Sequence, residues 1–389
     1  MASSINLKIF KEFIKSSNFG GFLLFLCVLI SLIIANSSLS DTLKSVLSYE
    51  FGVENSWIHL KYSTSMWIND GLMAIFFLLV GLEIKREIVE GELSSLKKAI
   101  LPILAAMGGA IVPALIYIYF NIGLDTSGGW GIPMATDIAF ALAVISLLDK
   151  RIPISLKIFL AALAIVDDLI AILVIALFYS SGIDLVYLMY AGVGLGVLVL
   201  MNRLNVENPY LYLIPGIFIW YFVHHSGIHA TIAGVLVAMT LPTNNTDQES
   251  PLERLEHALV KPVNFIIIPI FAFANTNITI YNEMLEGLSS PLGLGILLGL
   301  LVGKPIGIVL SSIICSRFGI GQLPEGSNLN HILGVGLLAG IGFTMSIFIS
   351  NLSFNSEILI DEAKLAVLLT SLIAGVLGYL ILRKSSKIN

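Results

Sequence analysis

Charge is scarce in this chain. Only 12% of its 389 residues are Asp, Glu, Lys or Arg, against roughly 25% in an ordinary soluble domain. So little charge cannot coat a water-soluble globule of this length, which excludes a cytosolic protein of two or three domains. Cysteine is nearly absent: Cys27 and Cys315 both fall in apolar runs and form no motif, so neither a disulfide framework nor a thiolate metal site follows. A basic surplus is also missing. The net charge of −5 gives no footing for nucleic acid. Most polar stretches are short and leave no room for a soluble catalytic domain.

What fills the chain instead is apolar sequence, 57% of all residues. It falls into about a dozen runs, each near the ~20 residues that cross a bilayer as a helix. The expected spans are 19–36, 66–84, 100–121, 131–148, 155–179, 183–202, 209–223, 228–241, 262–276, 291–314, 331–351 and 362–382. Lys8, Lys11 and Lys15 ahead of the run Gly20 to Ala35 mimic a signal peptide, but the length of that run and the many later spans favour a retained first span. The fold class expected is an all-α polytopic membrane protein of about 12 transmembrane helices, forming a single transporter domain over 1–389. Two longer connections interrupt the pattern. One, around Tyr49 to Leu60 with Gly52 and Trp57, suits a small extramembrane β-hairpin between spans 1 and 2. The other, Pro242 to Lys261, is polar at first and then opens a helix at Glu253, Arg254, Glu256 and His257.

The basic residues orient the spans. With the N-terminus cytoplasmic, Lys44, Lys61 and Lys364 fall on the far side, Lys304 on neither, and every other Lys and Arg of the 21 in the cytoplasm. This asymmetry obeys the positive-inside rule and places both termini in the cytoplasm.

Charges deep in the membrane cost at least about 2.5–3.5 kcal/mol each and need a partner or a function. Asp167 and Asp168 lie in LALAIVDDLIAILVIALF, roughly 18 Å beyond the cytoplasmic end of their span. As helix neighbours they point about 100° apart, so they cannot share a proton as a converging carboxylate pair does. Lys304, in LLVGKPIGIVL, is too deep to snorkel. It must be neutral or paired with an intramembrane carboxylate, Asp167 or Asp168. Asp137 lies in GGWGIPMATDIAFALAV, and a second glycine-punctuated span reads GVGLLAGIGFTMSIFIS. Two broken spans at corresponding places, numbers 4 and 11, point to a transporter of inverted-topology repeats. Thr136 and Thr344 mark the breaks, and Asp137 and Lys304 would compensate the dipole ends of the half-helices. Carboxylates, a hydroxyl and freed carbonyls suit a small hard cation such as Na+ or Li+. A carboxylate that binds Na+ only when deprotonated makes Na+ and H+ competitors for one site, which with alternating access suffices for antiport.

The segments NDGLMAIFFLLVGLEIKRE (69–87), ATDIAFALAV (135–144), KIFLAALAIVDDL (157–169), SGIHATIAGV (226–235), FAFAN (271–275), GKPIGI (303–308) and GIGFTMSIFI (340–349) resemble the NhaA-type bacterial Na+/H+ antiporters, in order and nearly end to end. The resemblance implies an electrogenic, pH-activated secondary antiporter that serves sodium and pH homeostasis. It is not an enzyme, needs no cofactor, and would form a homodimer in the inner membrane of a bacterium, its partners being Na+, Li+, H+ and the lipid bilayer. Asp168 would be the principal Na+ and H+ carrier with Asp167 beside it, Lys304 would pair with Asp167 in the proton-loaded state, and Thr136 and Asp137 would sit where the broken helices cross. Glu83, Arg86, Glu87, Glu253, Glu256 and His257 would form the cytoplasmic pH response, with Glu253 placed i−4 to His257. The family carries a basic residue where this chain has Glu253, so its pH threshold does not transfer. His229 matches a family position too, though a helix-end histidine has an ordinary structural reading.

Two other classes compete. An intramembrane aspartyl protease needs carboxylates converging on one water and a GxGD segment, which the chain lacks; a peptide-cleavage assay discriminates it. A cation-driven symporter of an organic solute is separated by asking whether Na+ alone moves protons across a vesicle membrane.

Overall fold

The structure is a computed structural model describing residues 7–55, 59–148, 151–180, 182–243 and 249–385. Trp57, Lys150 and Lys387, and the side chains of Lys8, Lys11 and Lys15, lie outside the described residues. The described chain is mostly helical. The first apolar run forms α1 (Leu7–Ala35), and the chain then turns by 111° into the short α2 (Ser40–Ser48). Next, β1 (Glu50–Glu54) pairs antiparallel with β2 (His59–Ser63), in register from Glu50↔Ser63 to Glu54↔His59. The expected hairpin is therefore present. Gly52 serves it with a φ of 134° and a backbone that touches Leu60 O, where a Cβ has no room.

A continuous helical path follows through α3 (Thr64–Met66), a π-helical turn Trp67–Leu72 and α4 (Met73–Val89). Beyond it run α5 (Leu96–Asn121), a 3-10 stretch Asp125–Met134, α6 (Ile138–Ser146) and α7 (Ile154–Phe178). The middle of the chain forms α8 (Leu185–Arg203), α9 (Tyr210–His225), α10 (Ile232–Thr240) and α11 (Pro251–Pro262). A π-helical turn Val263–Ile267 joins α11 to α12 (Ile268–Asn275), and the short α13 (Asn282–Gly287) comes next. A second such joint, Gly299–Gly303, links α14 (Pro291–Leu298) to α15 (Lys304–Arg317). The last helices are α16 (Leu329–Ala339), α17 (Phe343–Ser353) and α18 (Glu357–Ser385).

Among the described residues, six helices are long and apolar enough to cross a membrane, or nine if each of three bent pairs counts as one span. The pairs are α1 with α2, the 3-10 stretch with α6 (42°), and α16 with α17 (46°). Of the twelve expected spans, 66–84 falls on the π-interrupted helix, while 209–223 and 228–241 fall on helices of 16 and 9 residues, shorter than the ~20 that cross a bilayer unaided. On α8, Leu185, Met189, Val193, Val197 and Leu200 are all exposed. Such an apolar stripe suits lipid and would be a liability in water.

Contacts group the residues into two compact units, neither continuous in sequence: residues 1–22, 87–174 and 280–389, and residues 23–86 and 175–279. In the first, α5 and α15 meet backbone to backbone, because Gly108 and Gly307 leave no space for a Cβ on either side. Small residues at such a crossing let two membrane helices approach closely. In the second, Leu198, Tyr212, Ile219, Val223 and Val237 share one core, and Gly234 of α10 rests on Ala74 O and Leu78 of α4. The hairpin is held there by aromatic stacking: Phe51 on Trp67 and Trp67 on Trp220, each with ring centroids 5.9 Å apart.

Candidate ion-binding site

Asp167 and Asp168 lie midway along α7, 2% and 3% exposed. The apolar residues around them specify the helix, and almost no surface of either residue is exposed. Lys304 is fully buried at the first position of α15, directly after the π-helical turn Gly299–Gly303. Turns of this kind re-aim side chains inside helices and recur at functional sites. The closely packed α5 brings Gly109 beside the Lys304 stem. Lys304 Nζ donates to Asp167 Oδ2 at 2.6 Å and also to Met134 O. The other carboxylate oxygen, Asp167 Oδ1, is buried and accepts no well-formed hydrogen bond among the described residues, with the Thr136 hydroxyl close to the same carboxylate. Asp168 lies within electrostatic reach of Lys304.

The two bends meet in this same unit. Asp137 N donates to Ile341 O at 2.6 Å, and Thr136 Oγ1 donates to Ala339 O at 2.8 Å. Ser346 Oγ reaches across to Ile132 O at 2.7 Å. Asp137 serves two helix starts at once. Its Oδ1 accepts from Phe140 N at 3.0 Å at the beginning of α6, while its Oδ2 accepts from Thr344 N at 3.1 Å and Thr344 Oγ1 at 2.7 Å at the beginning of α17. One carboxylate thus faces the positive ends of two helices. At the opposite pole, Met134 O ends the 3-10 stretch and receives the Lys304 ammonium. Each charge meets the helix end of opposite sign.

The residues expected to respond to pH form separate pairs. In the second unit, Arg86 Nε lies 3.0 Å from Glu256 Oε2, and Glu83 is buried on α4. Glu253 has a capping role: its Oε2 accepts from Ser250 N at 2.7 Å while Ser250 Oγ accepts from Glu253 N, a reciprocal box at the start of α11. His257 takes its partner from the preceding loop, with Nδ1 2.5 Å from Glu249 Oε1. The i−4 spacing of Glu253 to His257 is therefore not used as a contact. In the first unit, Glu87 Oε2 accepts from Glu92 N at 3.0 Å. His229 Nε2 donates to Tyr179 O at 2.8 Å, within the second unit. A further cluster, of Asp70, His224, Trp220 and Tyr62, has no spacing signature in the sequence. There His224 Nδ1 is 3.6 Å from Asp70 Oδ2, Trp220 Nε1 donates to Asp70 O, and Tyr62 packs edge-on against His224. The adjacent pair His224 and His225 was the available signal. No group of three or more His, Cys, Asp or Glu able to hold a resident metal occurs among the described residues.

The model of the family described as Na+/H+ antiporter 1 matches residues 11–382. The Na(+)/H(+) antiporter NhaA 2 of Flavobacterium johnsoniae is 60% identical over 388 residues, which cover 100% of this chain and 95% of the relative. The Na(+)/H(+) antiporter NhaA of Flavobacterium psychrophilum is 49% identical over 381 residues, 96% of each chain. That of Vibrio cholerae is 47% identical over 380 residues, 96% of this chain and 97% of the relative. With the family pattern and these relatives both running over nearly its whole length, the chain belongs to the Na+/H+ antiporter 1 family, a multi-pass membrane protein among transporters rather than enzymes.

Proposed function

We propose that this protein exchanges Na+ or Li+ for H+ across a bacterial inner membrane by alternating access, with the cation and protons competing for Asp167 and Asp168. The family and the relatives' names support Na+ and H+ as the transported ions. The observation that carries the site is the buried arrangement of Lys304 on Asp167 Oδ2, with Asp167 Oδ1 accepting no well-formed hydrogen bond among the described residues. A buried carboxylate oxygen lacking a donor is costly, and a small hard cation is the ligand it suits.

In the proton-loaded state Lys304 holds Asp167 and Asp168 carries a proton. Arrival of Na+ requires Asp168 to lose its proton and the Lys304–Asp167 pair to open. Losing one proton from each while gaining a single positive charge makes the exchange electrogenic. Thr136 and Asp137 hold the crossing of two discontinuous spans, the fourth and eleventh of twelve, related as inverted repeats in a single transporter domain. Glu83, Arg86, Glu87, Glu253, Glu256 and His257 form the cytoplasmic pH response, and the hairpin β1–β2 is the contact of a homodimer. In this way the protein maintains sodium and pH homeostasis.

The test is Na+-driven proton flux in vesicles with no organic solute present. Wild type moves protons under these conditions and Asp168→Asn does not. Wild-type exchange by that variant would overturn the site.

A further inference from the structure

The first turn of α16 is closed by an uncommon capping box. Asn328 Oδ1 accepts from His331 N at 3.0 Å, and His331 Nδ1 accepts from Asn328 N at 3.2 Å. A box normally uses Glu or Gln as the returning side chain; here an imidazole does the work. Its chemistry is conditional. To accept at Nδ1 the ring must be neutral with its proton on Nε2, and Nε2 is buried without a hydrogen-bond partner among the described residues. His331 as a whole is 3% exposed. A second proton would go on Nδ1, turning the acceptor into a donor aimed at the Asn328 N–H. It would also place a cation at the positive end of a helix.

The surroundings reinforce this sense. Among the described residues, the charged groups at this end are Arg317 at the end of α15, Arg383 and Lys384 in the last turn of α18, Glu325 in the preceding connection, Arg151 ahead of α7 and Lys157 in its first turn. Described residues of α6, which also packs on α16, contribute no charge there. Among the described residues Glu325 is the single carboxylate in this set, and it is exposed.

Both ends of α16 lead to the candidate site. Its last residue, Ala339, receives the Thr136 hydroxyl. The connection that supplies the cap is tied to α7, the helix of Asp167 and Asp168, because Ser155 Oγ donates to Glu325 O at 2.6 Å.

We propose that His331 is a positioning residue that makes the start of α16 pH-sensitive: the neutral imidazole closes the capping box, and the imidazolium opens it and slackens the helix that reaches the crossing at Thr136. The proposal deepens the exchange reading above and rests on it. Acid therefore lowers exchange through this element and alkali restores it. A helix cap typically shifts the equilibrium of its helix end by about fivefold, which sets the size of the effect.

The experiment compares the full-length wild type with His331→Gln and His331→Ala in vesicles, from about pH 5 to pH 9. The Gln side chain accepts the same N–H at every pH. His331→Gln should match wild type at the alkaline end and exceed it by about fivefold at the acid end. His331→Ala should be slow throughout. Superimposable profiles of wild type and His331→Gln overturn the proposal. A second readout needs no transport: hydrogen-exchange protection of the first-turn amides of α16. Protection should fall towards acid in wild type and stay level in His331→Gln; equal protection in the two at acid pH also overturns it. Absence of Na+-driven flux in wild type would sink the exchange reading alone and leave the protection result to judge His331.

Discussion

Lys304 has exchanged water for two oxygens, Asp167 Oδ2 and Met134 O. Removing one partner of a buried ion pair costs about 3–5 kcal/mol, because the other charge is stranded. We expect Lys304→Ala to leave Asp167 to be neutralised by a proton instead. Exchange should weaken, and both the apparent Na+ affinity and the pH profile should move; unchanged affinity together with an unchanged profile would show that the pair is not part of the cycle. The scarcity of charge made Lys304, Asp137, Asp167 and Asp168 legible from sequence. Which aspartate meets the lysine was not legible from the residues alone, since both are equally deep; the family resemblance pointed to Asp167, and the geometry places it there. The role of His331 is not legible from sequence, because it depends on a neighbour three residues away and on its burial. Spacing suggests the first of these, but sequence does not reveal the second.

At the scale of elements, broken and interrupted helices recur where chemistry is concentrated. The π-helical turn Gly299–Gly303 precedes Lys304, and the interruptions at 135–137 and 340–342 face each other through Asp137, Thr136 and Thr344. Glycine and proline announced the two facing breaks in the sequence, though not the π-helical turn. Close approach of α5 and α15 depends on Gly108 and Gly307. Adding side chain to a packed contact costs about 1–3 kcal/mol, so Gly307→Val should lower the melting temperature of the purified protein and Gly307→Ala should lower it less; an unchanged melting temperature for the valine variant would refute this packing. The start of α11 offers a gentler case. Spacing alone aligned Glu253 with His257, yet Glu253 closes the box with Ser250 while Glu249 takes the histidine. Orphan N–H groups in a first turn compete for any nearby carboxylate, and Glu253 stands at the position that satisfies them. Glu253→Ala should cost about 1 kcal/mol of local stability, read as faster hydrogen exchange at the first amides of α11, with the His257–Glu249 pair intact.

For the whole molecule, the decisive quantity is net charge moved per cycle. On the proposed cycle more protons leave than Na+ ions bind, and the difference is a charge that would have to cross the membrane. Vesicles given a Na+ gradient should develop a membrane potential that a voltage-sensitive dye reports, and clamping that potential should accelerate proton flux; electrically silent exchange would show that only one proton leaves. Bulk composition, the membrane class and the candidate residues follow from the sequence by itself, because hydropathy, glycine placement and isolated charges are properties of the local chain. The hairpin was legible too, from a polar interruption that carries Gly52. Tertiary structure alone decided that Asp137 caps two helices, that Thr136 and Lys304 find the carbonyls of Ala339 and Met134, and that Glu249 rather than Glu253 meets His257. Every residue carries a carbonyl and an amide, so composition and spacing cannot single out the few that burial leaves in need of a partner.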